Sequence, residues 1–253
     1  MQHWEILFIF LVIAFVYSSV GFGGGSSYLA VLTLYAFPFQ EMKLAALTCN
    51  IIVVTGGSII FIRNNQVNWK KIIPLIVTSV PMAFMGAAIK LEQDTFFIIL
   101  GTTLIAASVL LWLKNKGNTT GEVTAKEPNY LRDGITGCLV GFLSGLVGIG
   151  GGIFLSPVLN LMKWDTPKKI AATASVFILV NSVSGIAGQL SAVSDYINFG
   201  RIGMLGAAVL AGGQIGSWMG AVRFNQLVVR RVTALLVFVA GTEVLIRHLH
   251  IFD

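Results

Sequence analysis

An all-α integral membrane fold is predicted, built from two inverted-topology repeats of about five helical elements each, with short broken or re-entrant helices at glycine motifs. Three features of the sequence predict it. The first is composition: of 253 residues, 55% are hydrophobic and only 11% charged, where a soluble domain carries about 25% charged residues. With a mean hydropathy of +0.83, the chain lacks the charge to clothe an apolar core in a water-soluble surface. The second is an internal repeat, centred on Gly21-Phe22-Gly23-Gly24-Gly25 and Gly148-Ile149-Gly150-Gly151-Gly152. The third is a one-sided distribution of lysine and arginine over the connecting segments.

The elements follow in order. The first apolar stretch, within residues 4–20, is clean only over 6–16 and rises about 17 Å, against a hydrocarbon core of about 30 Å. The stretch after the glycines, 26–37, rises about 18 Å. Two short helices meeting at glycines predict a hairpin that enters the membrane and returns. Backbone of that kind is tolerated at depth only when buried in protein or lining a wet cavity. Residues 41–62, 71–89 and 95–113 are each long enough to span. A polar stretch with Gly117, Asn118 and Gly121 then reads as a linker. The series begins again with short elements at 133–147 and 152–162, followed by longer ones at 168–190, 201–220 and 225–249. The expected division is a first repeat over 1–113, a cytoplasmic linker over 114–132 and a second repeat over 133–253.

The repeat extends well beyond its glycines. Lys43-Leu44-Ala45-Ala46 matches Lys169-Ile170-Ala171-Ala172, and Thr55 and Ser58 match Asn181 and Ser184. Val67-Asn68-Trp69 then matches Ile197-Asn198-Phe199, and Gly86 matches Gly216. Charge gives the orientation. Arg63, Lys70, Lys71, the basic residues of the linker, Lys163, Lys168, Lys169, Arg223, Arg230 and Arg231 fall on one side. Only Lys43, Lys90, Arg201 and Arg247 fall on the other. The first side is expected to be cytoplasmic and both termini outside. Each unit then crosses an odd number of times, which inverts the second relative to the first. The N-terminus has neither a basic region nor a small-residue cleavage pattern, so no cleaved signal peptide is expected.

Inverted repeats with broken helices are a recurring carrier architecture, with the site near the midplane where the units meet. Glycine adopts positive φ without steric cost, so both glycine motifs let the backbone turn sharply and lie open. The helices that follow aim their free N–H groups and positive dipole ends at the break, which favours an anion. The expected donors are the amides of Gly23, Gly24, Gly25, Ser26 and Ser27 and those of Gly150, Gly151, Gly152, Ile153 and Phe154. The Ser26 and Ser27 hydroxyls join them. The third element of each unit adds Thr48, Asn50 and Thr55, and Thr173, Ser175, Asn181 and Ser184; Gln189 and Gln214 are further polar positions at depth. Each has a plainer reading. Glycines serve close helix packing, and serines and threonines bond their own i−4 carbonyl. Asn50 and Asn181 stand out because a buried amide needs several partners.

Other classes are disfavoured. The net charge of +6 reads as loop cations facing an anionic leaflet rather than nucleic acid. Cys49 and Cys138 lie in apolar runs without a CxxC or histidine cluster, so neither a disulfide nor a metal is expected. There is no GxxxxGK[ST] loop, no nucleophile–base pair and no lysine, arginine, aspartate or glutamate clearly mid-span. Neither an enzyme nor a cofactor is expected, and any bound anion would be neutralised by backbone and hydroxyl dipoles.

Two copies of G-x-G-G-G, each followed by a short helix and a K-x-A-A helix start, resemble the TauE/SafE family over about residues 7–245. The resemblance to this sulfite exporter or sulfonate permease family implies a secondary transporter, usually an exporter. Its substrate would be a sulfur-containing anion, sulfite or an organosulfonate, crossing the plasma membrane. An anion channel of the same architecture is the alternative. An organosulfonate would need an apolar pocket beside the anion, and Phe22, Tyr28, Phe154 and Phe177 are available to line one. The small residues of 206–220 suit either internal packing or a homodimer face.

Overall fold

The sequence forms helices wherever it is apolar and leaves them at glycine, proline and asparagine. In the computed structural model, residues 4–19, 21–113, 129–192 and 198–222 are described, with separate helical positions between 231 and 246. Among these the helices are α1 (Glu5–Ser18), α2 (Gly25–Leu34), α3 (Phe39–Arg63), α4 (Trp69–Ala88), α5 (Gln93–Leu113), α6 (Tyr130–Val147), α7 (Gly152–Leu161), α8 (Pro167–Ala192) and α9 (Phe199–Val222). Five are long and apolar enough to cross a membrane: α3, α4, α5, α8 and α9. Of the element expected over 225–249 only separate helical positions between 231 and 246 are described, and of the linker expected over 114–132 residues 114–128 lie outside the described residues.

Local chemistry sets the boundaries. Glu5 opens α1 and Arg63 closes α3, each complementing the helix dipole. The helix expected to begin at residue 133 begins at Tyr130, because the Asn129 side chain accepts the Arg132 N–H at 3.0 Å and caps it. The helix expected over 26–37 is shorter at its end, stopping at Leu34 before Ala36 turns to φ 51°. α1 and α2 remain too short to span, as their apolar lengths require.

Glycine governs how the helices meet. Gly137, Gly141 and Gly145 form one edge of α6, and a Cβ on any of them would strike the backbone of Leu75, Ser79 or Ala83 in α4. Gly86 of α4 in turn faces the Phe142 carbonyl of α6. On α9, Gly212 and Gly216 lie against the Leu11 and Phe15 carbonyls of α1. These small residues of 206–220 therefore serve packing within the chain, letting two backbones approach as side chains would not allow. α4 also packs on α8, α9 on α3, and α3 on α8.

The core is a continuous apolar cluster running from Phe10 and Tyr28 through Met42 to Phe177. Phe39, Phe96 and Phe97 form an edge-to-face group between α3 and α5, with centroids 4.7–6.0 Å apart. Large apolar side chains also face outward, among them Val77 and Met85 of α4 and Ile215 and Trp218 of α9. Such an exterior suits a hydrocarbon surrounding, where no hydrophobic penalty attaches to it.

Candidate functional site

The two glycine motifs fold alike. α1 ends at Ser18, and Gly21 (φ 83°) and Gly24 (φ 91°) turn the chain into α2. α6 ends at Val147, and Gly148, Gly150 and Gly151 (φ 74°, 74° and 81°) turn it into α7. Left-handed backbone of this kind strains any residue with a Cβ. Gly24 and Gly151 are the N-caps of the two short helices.

The first amides of each helix have no intrahelical acceptor. In α2 the first donor is the Tyr28 N–H, bonded to the Gly24 carbonyl at 3.0 Å, so the amides of Gly25, Ser26 and Ser27 precede it. In α7 Phe154, expected to offer its amide outward, donates it to the Gly151 carbonyl at 3.1 Å. The outward amides there are those of Gly152 and Ile153.

Asn50 lies where the motifs meet. It is wholly buried in α3, and its Nδ2 donates to the Ile149 carbonyl of the second motif at 3.1 Å. A Cβ on Gly23 or Gly25 would fall onto the same carboxamide, and one on Gly150 would lie 3.0 Å from its Nδ2. One side chain thus occupies the space that glycines of both motifs leave open. The Asn50 Oδ1 accepts no hydrogen bond among the described residues.

The other expected residues divide. The Ser27 hydroxyl is 2.7 Å from the Tyr17 hydroxyl, and Ser26 is buried beside it. Asn181 donates to the Phe177 carbonyl of its own helix at 2.9 Å, leaving Oδ1 without a partner among the described residues. Thr173, one turn before Phe177 on the same face of α8, is fully buried with its hydroxyl unpartnered. Phe177 itself lies 3.0 Å from where a Gly151 Cβ would stand. Ser184 is engaged elsewhere: its hydroxyl donates to the Val80 carbonyl at 2.6 Å and ties α8 to α4. Thr55 bonds the Ile51 carbonyl of its own helix, Ser175 pairs with Ser58 at 3.1 Å, and Gln214 lies against Gly56.

Three polar residues at the loops were not anticipated. Tyr17 is bonded to Ser27, Ser144 flanks Gly151, and Ser182 flanks Gly150. Ser144 and Ser182 are buried, and their hydroxyls have no partner among the described residues. A signal existed for two of them, since the offset relating Gly21 to Gly148 also relates Tyr17 to Ser144. Ser182 has no such mark beyond following Asn181.

Comparison with known proteins agrees with this architecture. A probable membrane transporter protein of Sinorhizobium fredii is 31% identical over 93% of this chain and 95% of its own length. One from Methanocaldococcus jannaschii is 27% identical over 87% and 85%. The probable membrane transporter protein YunE of Bacillus subtilis is 26% identical over 83% and 84%. No solved structure matches the chain. The family described as sulfite exporter TauE/SafE matches residues 6–244. With both glycine motifs and all the spanning helices inside that match, the chain belongs to the TauE/SafE family of membrane transporters.

Proposed function

We propose that the chain is a secondary transporter that exports a small sulfur-containing anion, sulfite or an organosulfonate, through the plasma membrane. The anion binds near the midplane between two inverted repeats, 1–113 and 133–253, joined by a cytoplasmic linker, and moves by alternating access. The observation that carries this reading is the position of Asn50. Because its carboxamide abuts Gly23, Gly25 and Gly150 and holds the Ile149 carbonyl, the starts of α2 and α7 converge on one place. Two helix N-termini with outward amides favour negative charge there. The family's description supports sulfur as the central atom.

The inverted arrangement is supported by contacts that occur in exchanged pairs. α4 lies on α6 as α9 lies on α1. Gly86 faces the Phe142 carbonyl as its repeat counterpart Gly216 faces that of Phe15, the counterpart of Phe142. The grouping of charges by side is supported by ion pairs within each side, and the excess of lysine and arginine on one of them supports both termini lying outside. Arg201 meets Glu41 at the start of α3, and Lys71 meets Asp165 before α8.

The test is flux of radiolabelled sulfite and methanesulfonate in proteoliposomes. Saturable flux with acceleration by unlabelled anion on the opposite face is the expected outcome. Flux that does not saturate and shows no such counterflow would make the protein a channel. Absence of flux for every sulfur anion tried would remove the substrate assignment.

A further inference from the structure

Lys43 of α3 and Gln189 of α8 both lie beside Gly148, in contacts outside those described so far. Lys43 precedes Asn50 by nearly two whole helical turns, so the two share one face of α3 about 10 Å apart. Leu47, between them on that face, packs on Gly185 of α8, one turn before Gln189.

Lys43 is only 6% exposed, yet no carboxylate among the described residues pairs with it. Its repeat counterpart Lys169 is 41% exposed at its side chain and lies 3.8 Å from Asp165. The Lys43 ammonium rests instead 5.0 Å from the Phe96 ring centroid and 5.5 Å from that of Phe39. Aromatic faces recover only a fraction of what burial of an ammonium costs. An ionisable side chain kept within an apolar helix bundle at that cost marks a functional position.

Gln189 is 4% exposed, and neither its Oε1 nor its Nε2 has a partner among the described residues. Both side chains reach the same spot. A Cβ on Gly148 would stand 3.5 Å from Gln189 Nε2 and 3.5 and 3.6 Å from Lys43 Cβ and Cε. The next residue, Ile149, is the one whose carbonyl Asn50 holds.

We propose that Lys43 and Gln189 form an oxyanion-binding station beside Gly148, adjoining the glycine loops. Lys43 supplies the positive charge that the backbone amides alone lack, and the Gln189 Nε2 donates to an anion oxygen. The ligand class is a small oxyanion of sulfur, free or carrying an organic group. The station rests on the carrier reading above and names its charged selectivity element. It also replaces the expectation that dipoles alone neutralise the anion.

The experiment is thermal denaturation of the detergent-purified full chain, titrated with sulfite, sulfate, methanesulfonate and chloride. A ligand bound only by the folded state raises the apparent melting temperature with saturation. Stabilisation by at least one sulfur oxyanion is expected for the wild type. Lys43→Met and Gln189→Leu should each raise the half-saturating concentration about tenfold, the worth of one charge-assisted hydrogen bond. Lys43→Arg, which keeps the charge, should stay within about threefold. Wild-type half-saturation in both Lys43→Met and Gln189→Leu overturns the station and leaves the carrier reading standing. No response of the wild type to any of the sulfur oxyanions overturns both. Should Lys43→Met not fold, Gln189→Leu decides alone, and unchanged half-saturation in it overturns the station.

Discussion

Lys71 and Asp165 form an ion pair of 3.1 Å with side chains 4% and 0% exposed, joining α4 to the turn before α8. The Lys71 ammonium also donates to the Trp164 carbonyl at 2.7 Å and lies 5.0 Å from the Trp164 ring centroid. Its repeat counterpart is Arg201, which meets Glu41 at 2.7 Å and lies 5.1 Å from the Phe37 ring centroid. The Arg201 side chain is 32% exposed, so water screens that pair and its loss matters less. Asp165→Asn, which strands a buried ammonium, should cost about 3 kcal/mol. Glu41→Gln should cost about 1 kcal/mol or less. Equilibrium unfolding in mixed micelles would measure both, and the reverse order would contradict the burial argument.

Valine at Gly24 or Gly151 should abolish sulfite flux while leaving the protein inserted. The left-handed backbone there charges a Cβ about 1–2 kcal/mol. The added carbons also meet Tyr28 and Ile13 at Gly24, and Phe177 and Ser144 at Gly151. Undiminished flux in both variants, measured in proteoliposomes, would move the site away from these loops.

Gly25 and Asn50 should be coupled. Gly25→Ala pushes a methyl onto the Asn50 carboxamide, and Asn50→Ala removes that obstacle along with its hydrogen bond to Ile149. Each single change should cost about 1–2 kcal/mol, and the double variant about 1 kcal/mol less than their sum. Strict additivity in the double-mutant cycle would mean that Gly25 is required for some other reason.

Ser184→Ala and Asn181→Leu should separate stability from binding. Ser184 only bridges α8 to Val80, so its loss should cost about 0.6 kcal/mol, the usual worth of such a bond between membrane helices. Its half-saturating anion concentration should not change. Asn181→Leu removes a buried, unpartnered Oδ1 together with the amide that bonds Phe177, and should weaken anion binding. A Ser184→Ala protein with impaired binding would place that hydroxyl at the ligand after all.

Much of this was legible because membrane rules are local. The length of an apolar run decides whether a helix can span, and this alone separated α1 and α2 from α3, α4 and α5. Asn50 was legible because a buried amide must find partners. What escaped was non-local. Lys43 reads in sequence as an ordinary charge at a helix start, and its burial depends on Phe96 arriving from α5. Ser182 carries no spacing that distinguishes it from hydroxyls bonded to their own helix, and Ser144 is marked only by its repeat offset from Tyr17. The start of α6 was placed late because Asn129 and Arg132 look like linker until the cap between them is seen.

The glycine edges of α6 and α9 also decide which parts of the molecule can move together. Where backbone lies directly on backbone, no side-chain layer remains to shear, so under the proposed alternating access α4 and α6 should travel as one piece and α1 and α9 as another. Adding the other principal contacts gives one body of α1, α2, α3 and α9 and a second of α4, α5, α6, α7 and α8. Each body mixes helices from both sequence halves, and their main shared seam is α3 against α8. That seam carries the Ser58–Ser175 hydroxyl pair, and the Asn50 bond to the Ile149 carbonyl, in the loop between α6 and α7, also crosses between the bodies. The boundary expected to move is therefore not the boundary between the sequence halves. Cutting the chain between α5 and α6 should leave two interlocked fragments, not two separable ones.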